Sequence, residues 1–167
     1  IVAETLGMNE PAVTVHESVD GKPIVGNGAG GSRSLVNVGS ACMLAALRVI
    51  EQAKPRAAEV LELEPSQVEF RNGVFRSSDG TRSIGMQELA RKLAGSAEHP
   101  FNCTLKNDGV STFPNGCHIA EVEVDPDTGA STIVSYVAVD DCGKVVTHHI
   151  VEGQVHGGVV QGAGQVF

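Results

Sequence analysis

The sequence predicts an α+β fold on three observations. Apolar residues recur at helical spacing between Leu35 and Ile50. Val68, Phe70, Val74 and Phe75 alternate with polar residues around Asn72-Gly73, the dipeptide that most strongly signals a two-residue hairpin turn. A second alternation, with Ile119, Val122 and Val124 on one arm and residues 133–139 on the other, flanks Asp125-Pro126-Asp127-Thr128-Gly129. At 167 residues the chain has the size of one domain and can bury a real core.

Taken in order, the first residues read as the tail of a helix closed by Gly7, followed by a strand over residues 13–16 and a glycine loop. From Ser34, the residues Leu35, Val38, Ala41, Cys42, Ala45, Ala46, Val49 and Ile50 define one buried helix face. Pro55 is expected to open a second helical segment carrying Ala58, Val60, Leu61 and Leu63, halted by Pro65. After the hairpin, residues 84–93 read as a short amphipathic helix with Met86, Leu89, Ala90 and Leu93 inward, ended by Gly95. A Pro/Asn/Gly-rich loop leads to the second strand pair. Its turn acids mimic a calcium loop but lack the later acidic ligand, so a plain turn is expected. The last element, from about Val151, is a helix interleaved with Gly153, Gly157, Gly158, Gly162 and Gly164. Each interior glycine costs about 0.5–1 kcal/mol relative to alanine, which points to close packing or close ligand approach.

Composition limits the function. The formal net charge of -8 argues against a general nucleic-acid binder, which needs clustered Lys and Arg. No apolar run reads as a bilayer span; the segment from Leu35 to Ile50 is interrupted by Asn37, Ser40 and Arg48. Cys42, Cys103, Cys117 and Cys142 lack metal-site spacing and read as reduced thiols of a cytoplasmic protein. His148, His149 and His156 read as packing or surface residues, and no metal site is expected. The chain starts without Met and ends in mid-pattern, so it reads as a fragment truncated at both ends.

The densest chemical signal is Gly26-Asn27-Gly28-Ala29-Gly30-Gly31-Ser32-Arg33-Ser34, directly before the long helix. Glycines permit positive φ and close backbone approach, while a helix start presents unpaired N–H groups and a positive dipole end. A phosphate or pyrophosphate is the natural occupant. Gly26, Gly28 and Gly31 match G-x-G-x-x-G, yet only Lys22-Pro23-Ile24-Val25 is available as the preceding strand, and the ribose-binding acid position falls on Glu51 inside a helix. A dinucleotide-binding Rossmann reading therefore fails, and a glycine loop binding nothing stays open. On the final helix, Gln154, Gln161 and Gln165 can each offer two donors and an acceptor to a heterocyclic ligand, or lie on the surface.

Three stretches carry a resemblance. Gly31-Ser32-Arg33-Ser34, then Thr112 through His118 before Glu121-Val122-Glu123-Val124-Asp125-Pro126, and Glu152 through Gly162 together resemble the xanthine dehydrogenase/aldehyde oxidase family. More narrowly, they are similar to bacterial large subunits of carbon monoxide or aldehyde dehydrogenase type. The resemblance implies a C-terminal fragment, residues 1–167, of the molybdopterin-binding domain, with mixed sheets packed with helices. It implies a molybdenum hydroxylase acting on an aldehyde, N-heterocycle or similar carbon centre. The cofactor would be molybdopterin cytosine dinucleotide, with FAD and 2Fe-2S clusters on partner subunits or domains.

By the same resemblance the cofactor contacts fall on Gly31, Ser32, Arg33, Ser34 and Gln161, with Asp141, Cys142 and Gly143 lining the dinucleotide channel. No catalytic residue is assigned, because the family's general-base glutamate belongs to a segment downstream. The expected partners are the remainder of the large subunit, FAD-binding and iron–sulfur subunits and a small-molecule substrate, with no nucleic acid and no membrane. The alternative is a non-catalytic module binding a nucleotide or a partner chain through its glycine loop.

Overall fold

The computed structural model describes residues 1–16, 28–95, 98–107, 109 and 111–167, which divide into two units, Ile1–Val110 and Ser111–Phe167. The start of the glycine loop, Gly26 and Asn27, lies outside the described residues, as do residues 22–25.

In the first unit, helix α1 (Val2–Leu6) ends at Gly7, whose φ of 62° is left-handed as a C-cap requires. A Cβ on Gly7 would collide with the backbone of Asn72 and Gly73, and one on Gly73 with the Gly7 carbonyl, so two glycines let backbone dock on backbone. A 3₁₀ turn, Glu10–Ala12, follows, and residues 13–16 are not a strand. They pair with no described strand, and alternation without a ladder partner does not make one.

Helix α2 (Ser40–Leu61) buries Ala46, Ala53, Ala57, Ala58 and Leu61. Pro55 does not open a second helix: it lies inside α2, with its ring on the exposed side. An interior proline loses a hydrogen bond and costs about 3 kcal/mol, but burial of the alanine face on either side outweighs it here. Glu62, at φ 55°, closes the helix, and Arg82 Nη1 donates to the carbonyls of Leu61 at 2.6 Å and Glu62 at 3.2 Å. This cation on the last carbonyls also suits the helix dipole. Over Leu35–Leu61 the helix is long and apolar enough to cross a membrane by length and composition alone, which the sequence reading did not foresee. Its second half is nevertheless a core helix with surface ion pairs Arg48–Glu51 and Arg56–Glu59.

The alanine face packs on an antiparallel sheet of β1 (Val68–Arg71), β2 (Val74–Ser77) and β3 (Ser83–Gly85), in that order. Asn72 and Gly73 both have positive φ, giving the expected turn, with Phe70 paired to Phe75. Strand β3 takes the start of the expected helix over residues 84–93, which shortens to α3 (Met86–Lys92). Val68, Phe75 and Leu89 are fully buried at the centre of this core. Between β2 and β3, Asp79 accepts from Ser77 Oγ, from the Thr81 N–H and from Thr81 Oγ1. Those bonds, that of Ser77 foremost, hold its carboxyl down at about 2 rather than the usual 3.8.

In the second unit β4 (Asn115–Val124) and β5 (Ser131–Asp141) form an antiparallel hairpin, with a bulge between Glu121 and Val122. Asp125 Oδ1 accepts the N–H groups of Asp127 and Thr128, which lower its carboxyl pKa and make the acid a turn residue. Helix α4 (His148–Val166) completes the unit. No residue of the hairpin or of α4 is buried.

Because Pro55 has little packing to lose, Pro55→Ala is expected to raise the unfolding free energy measured in urea by about 1–3 kcal/mol, with a higher midpoint; a lower midpoint would contradict the strain assigned to it. The depressed Asp79 pKa contributes stability that is complete above about pH 4 and is lost as pH falls through about 2. Asp79→Asn is expected to flatten that acid limb in urea midpoints measured across the window, and an equally steep limb would remove Asp79 as its cause.

Candidate functional site

The start of the long helix in the first unit is open. The Arg33 carbonyl accepts the Asn37 N–H at 2.8 Å, the first helical bond, and the chain passes through a π-helical turn, Leu35–Gly39, into α2. No side chain caps this start, so the N–H groups of Ser34, Leu35 and Val36 precede any intrahelical carbonyl they could use. π-Helical turns of this kind are rare and often accompany functional sites.

The approach to the helix is a tight turn in which the Arg33 N–H donates to the Gly30 carbonyl at 3.3 Å. Gly31 and Ser32 at its centre both have φ 55°, the primed geometry. For serine this left-handed backbone costs about 1 kcal/mol, strain of the sort found at ligand clamps. Arg33 is half-buried, and its Nε donates to the Gly28 carbonyl at 3.2 Å, which fastens the guanidinium to the loop it follows. Ser32 and Ser34 are exposed, and their hydroxyls make no hydrogen bond among the described residues. A Cβ on Gly28 or Gly31 would meet nothing within 4 Å. The result is an exposed loop and helix start with N–H donors, two hydroxyls, a cation and a helix dipole, a donor set that fits a phosphate or pyrophosphate.

The other expected contacts belong to the second unit. Asp141 ends β5, and its Oδ1 accepts the Gly143 N–H at 2.9 Å, folding Asp141, Cys142 and Gly143 into one small exposed turn. On α4, Val151, Val155, Val159 and Ala163 form a half-buried stripe at every fourth position. Gly153, Gly157, Gly158, Gly162 and Gly164 have open space where a Cβ would stand, so close packing within this chain does not explain them. Gln161 is exposed and makes no hydrogen bond among the described residues, and none joins it to the turn at residues 141–143.

Sequence reasoning missed a side-chain cluster on the hairpin. His118 Nδ1 lies 3.0 Å from the Tyr136 hydroxyl, and Nε2 lies 3.1 and 3.2 Å from the two Asp140 carboxylate oxygens. The register that pairs His118 with Ala138 puts Tyr136 and Asp140 on its two diagonals, a signal readable only once pairing is known. Among the described residues no group of three or more His, Cys, Asp or Glu is placed to hold a metal ion. An open depression of about 570 Å³ in the first unit, between Gly7, Asn9, Asn72 and Gln87, contains none of the expected site residues and no titratable group.

Comparison with known proteins gives a family match over residues 1–167, to the molybdopterin cofactor-binding domain. The chain is 32% identical to the gamma subunit of the 6-hydroxypseudooxynicotine dehydrogenase complex of Paenarthrobacter nicotinovorans, covering 98% of this chain and 22% of that one. It is 29% identical to the carbon monoxide dehydrogenase large chain of Hydrogenophaga pseudoflava, covering 97% of this chain and 21% of the relative. Among solved structures, the Cu,Mo-CO dehydrogenase in its carbon monoxide reduced state superposes with a TM-score of 0.83 at 29% identity, over 94% of this chain and 20% of that chain. Quinoline 2-oxidoreductase from Pseudomonas putida 86 superposes with a TM-score of 0.76 at 26% identity, over 98% of this chain and 22% of that one. The chain thus spans about a fifth of the length of these relatives.

The left-handed Ser32 makes a backbone test of the turn. Ser32→Gly is expected to leave the urea midpoint unchanged or raise it, whereas Ser32→Val, β-branched at positive φ, is expected to cost about 1–2 kcal/mol; equal tolerance of both would contradict the turn geometry.

Proposed function

This chain belongs to the molybdopterin cofactor-binding domain family, and on that premise we propose that it is one stretch of the large subunit of a molybdenum hydroxylase, an oxidoreductase binding molybdopterin cytosine dinucleotide. The observation that supports this most is the uncapped helix start behind the left-handed Gly31-Ser32 pair, with Arg33 held beside it. In this reading the N–H groups of residues 34–36, the Ser32 and Ser34 hydroxyls and the Arg33 guanidinium hold the pyrophosphate, and Gly31 lets it approach. Gln161 bonds the pterin from a helix face cleared by glycines, and Asp141, Cys142 and Gly143 line the nucleotide end of the channel.

When bound, the cofactor supplies the redox chemistry, hydroxylation of a carbon centre in an aldehyde, N-heterocycle or similar substrate with two electrons passed onward. The residues of this chain bind and orient; none is assigned as an acid or base, and the general-base glutamate belongs to another part of the large subunit. A two-stranded hairpin exposed on both faces is marginal in water, and Ile119, Val137 and Val139 lie 52–67% exposed on one of them. The remainder of the large subunit is the proposed cover, so that residues 1–167 form part of one cofactor-binding domain. FAD-binding and iron–sulfur subunits carry the electrons away. The protein is placed in the cytoplasm, bound to neither membrane nor nucleic acid, in keeping with free cysteines and the charge of -8.

Arg33→Ala in the full-length protein tests the assignment. Molybdenum per subunit and the cytidine monophosphate released on acid hydrolysis are expected to fall together, about tenfold after dialysis, as loss of a charge-assisted phosphate contact implies; unchanged contents of both would refute it.

A further inference from the structure

The end of β5 is held by side chains rather than by a core. Asn115 and Gly116 pair with Asp141 and Asp140 on the last rungs of the hairpin, where an exposed ladder opens most easily. Across these rungs His118 reaches both ways along β5, to Tyr136 at 3.0 Å and to Asp140 at 3.1 Å, with its ring set edge-on to Tyr136 at 88° and 5.8 Å between centroids. A carboxylate can only accept, so the imidazole donates its Nε2–H to Asp140, while Nδ1 meets the Tyr136 hydroxyl, which can serve as either donor or acceptor.

Gly116 makes this possible. A Cβ there would stand 2.5 Å from Asp140 Oδ1 and from the Val139 carbonyl, so only glycine lets the carboxylate fold back toward His118. The next acid in sequence, Asp141, spends its own carboxylate on the Gly143 N–H. Two successive acids therefore fix the strand exit, one gripping the hairpin and the other the turn beyond it.

We propose that His118 is a positioning residue: by holding Asp140 it sets the conformation in which the turn at residues 141–143 receives the nucleotide end of the cofactor. This rests on the assignment of that turn under the proposed function. Asp140 sets the N–H at Nε2, the Tyr136 hydroxyl bonds the other ring nitrogen, and Gly116 supplies the room.

The test uses the full-length protein, with molybdenum and cytidine monophosphate contents after dialysis, amide exchange at residues 141–143 and the urea midpoint as readouts. His118→Phe is expected to lose cofactor about tenfold faster and to exchange faster at the turn with the midpoint held, as loss of a hydrogen bond to a charged group implies. His118→Gln, whose amide still donates to Asp140, is expected to recover retention. Tyr136→Phe, which removes one hydroxyl, gives an intermediate loss and serves should the ring replacement fail to fold. If His118→Phe and Tyr136→Phe keep the cofactor while Arg33→Ala sheds it, the positioning role is overturned and the cofactor site stands. If His118→Gln loses as much as His118→Phe and all the midpoints fall, the cluster is structural only and the proposal also fails. Retention in all variants, Arg33→Ala included, overturns the site assignment and this inference with it.

Discussion

Ala53, Ala57 and Ala58 set how closely α2 lies on its three-stranded sheet, and the placement of the first unit's glycine loop follows from that contact. Small side chains bring the helix near enough for Val68, Phe75 and Leu89 to fill the layer between them. The contact also carries an interior proline, because the alanine face is buried on both sides of Pro55. Anchored this way at its C-terminal half and tied by Arg82 at its last carbonyls, the helix extends its other end, with the π-helical turn and the glycine loop, out of the core. Rigidity at one end of a helix and unspent N–H groups at the other is a sound way to present an anion seat.

The second unit is built on the opposite principle. It has no buried residue, and its order comes from a long ladder, an Asx turn at Asp125 and the His118 cluster. One hairpin face carries Cys117, Ile119, Val137 and Val139, and the other carries Gly116, His118, Ala120, Tyr136, Ala138 and Asp140, as the register dictates. An apolar face and a polar face, both uncovered, suit an element inserted between two different surroundings. The glycines of α4 tell the same story, since none of the described residues stands where their side chains would be.

Much of the fold was legible in the sequence because its signals are local. Asn72-Gly73 dictates a turn wherever it falls between strands, and Gly7 closes its helix equally locally; the periodicity from Leu35 marks a helix, but of the buried face it predicted only Ala46 is buried, and Leu35 and Val38 are exposed. The errors came where tertiary context decides. Pro55 looks like a boundary until the burial around it is known, β3 is too short to stand out from the helix it precedes, and residues 13–16 alternate without a partner. At the candidate site the glycine run before a helix was readable, whereas a left-handed serine carries no such signal. The His118 cluster spans 18 and 22 residues of sequence and depends wholly on register. The resemblance to molybdenum enzymes, rather than any spacing argument, is what singled out Gln161 and the turn at 141–143, and their roles remain proposals.

The central claim is the proposal that the glycine loop and the uncapped helix start behind it seat the pyrophosphate of the cofactor. Amide hydrogen exchange of the full-length protein, compared between cofactor-loaded and cofactor-free forms, addresses it directly. The account expects residues 31–36 to exchange more slowly in the loaded form, with β1, β2 and β3 unchanged. Equal exchange over residues 31–36 in the two forms, with the cofactor demonstrably present, would contradict it.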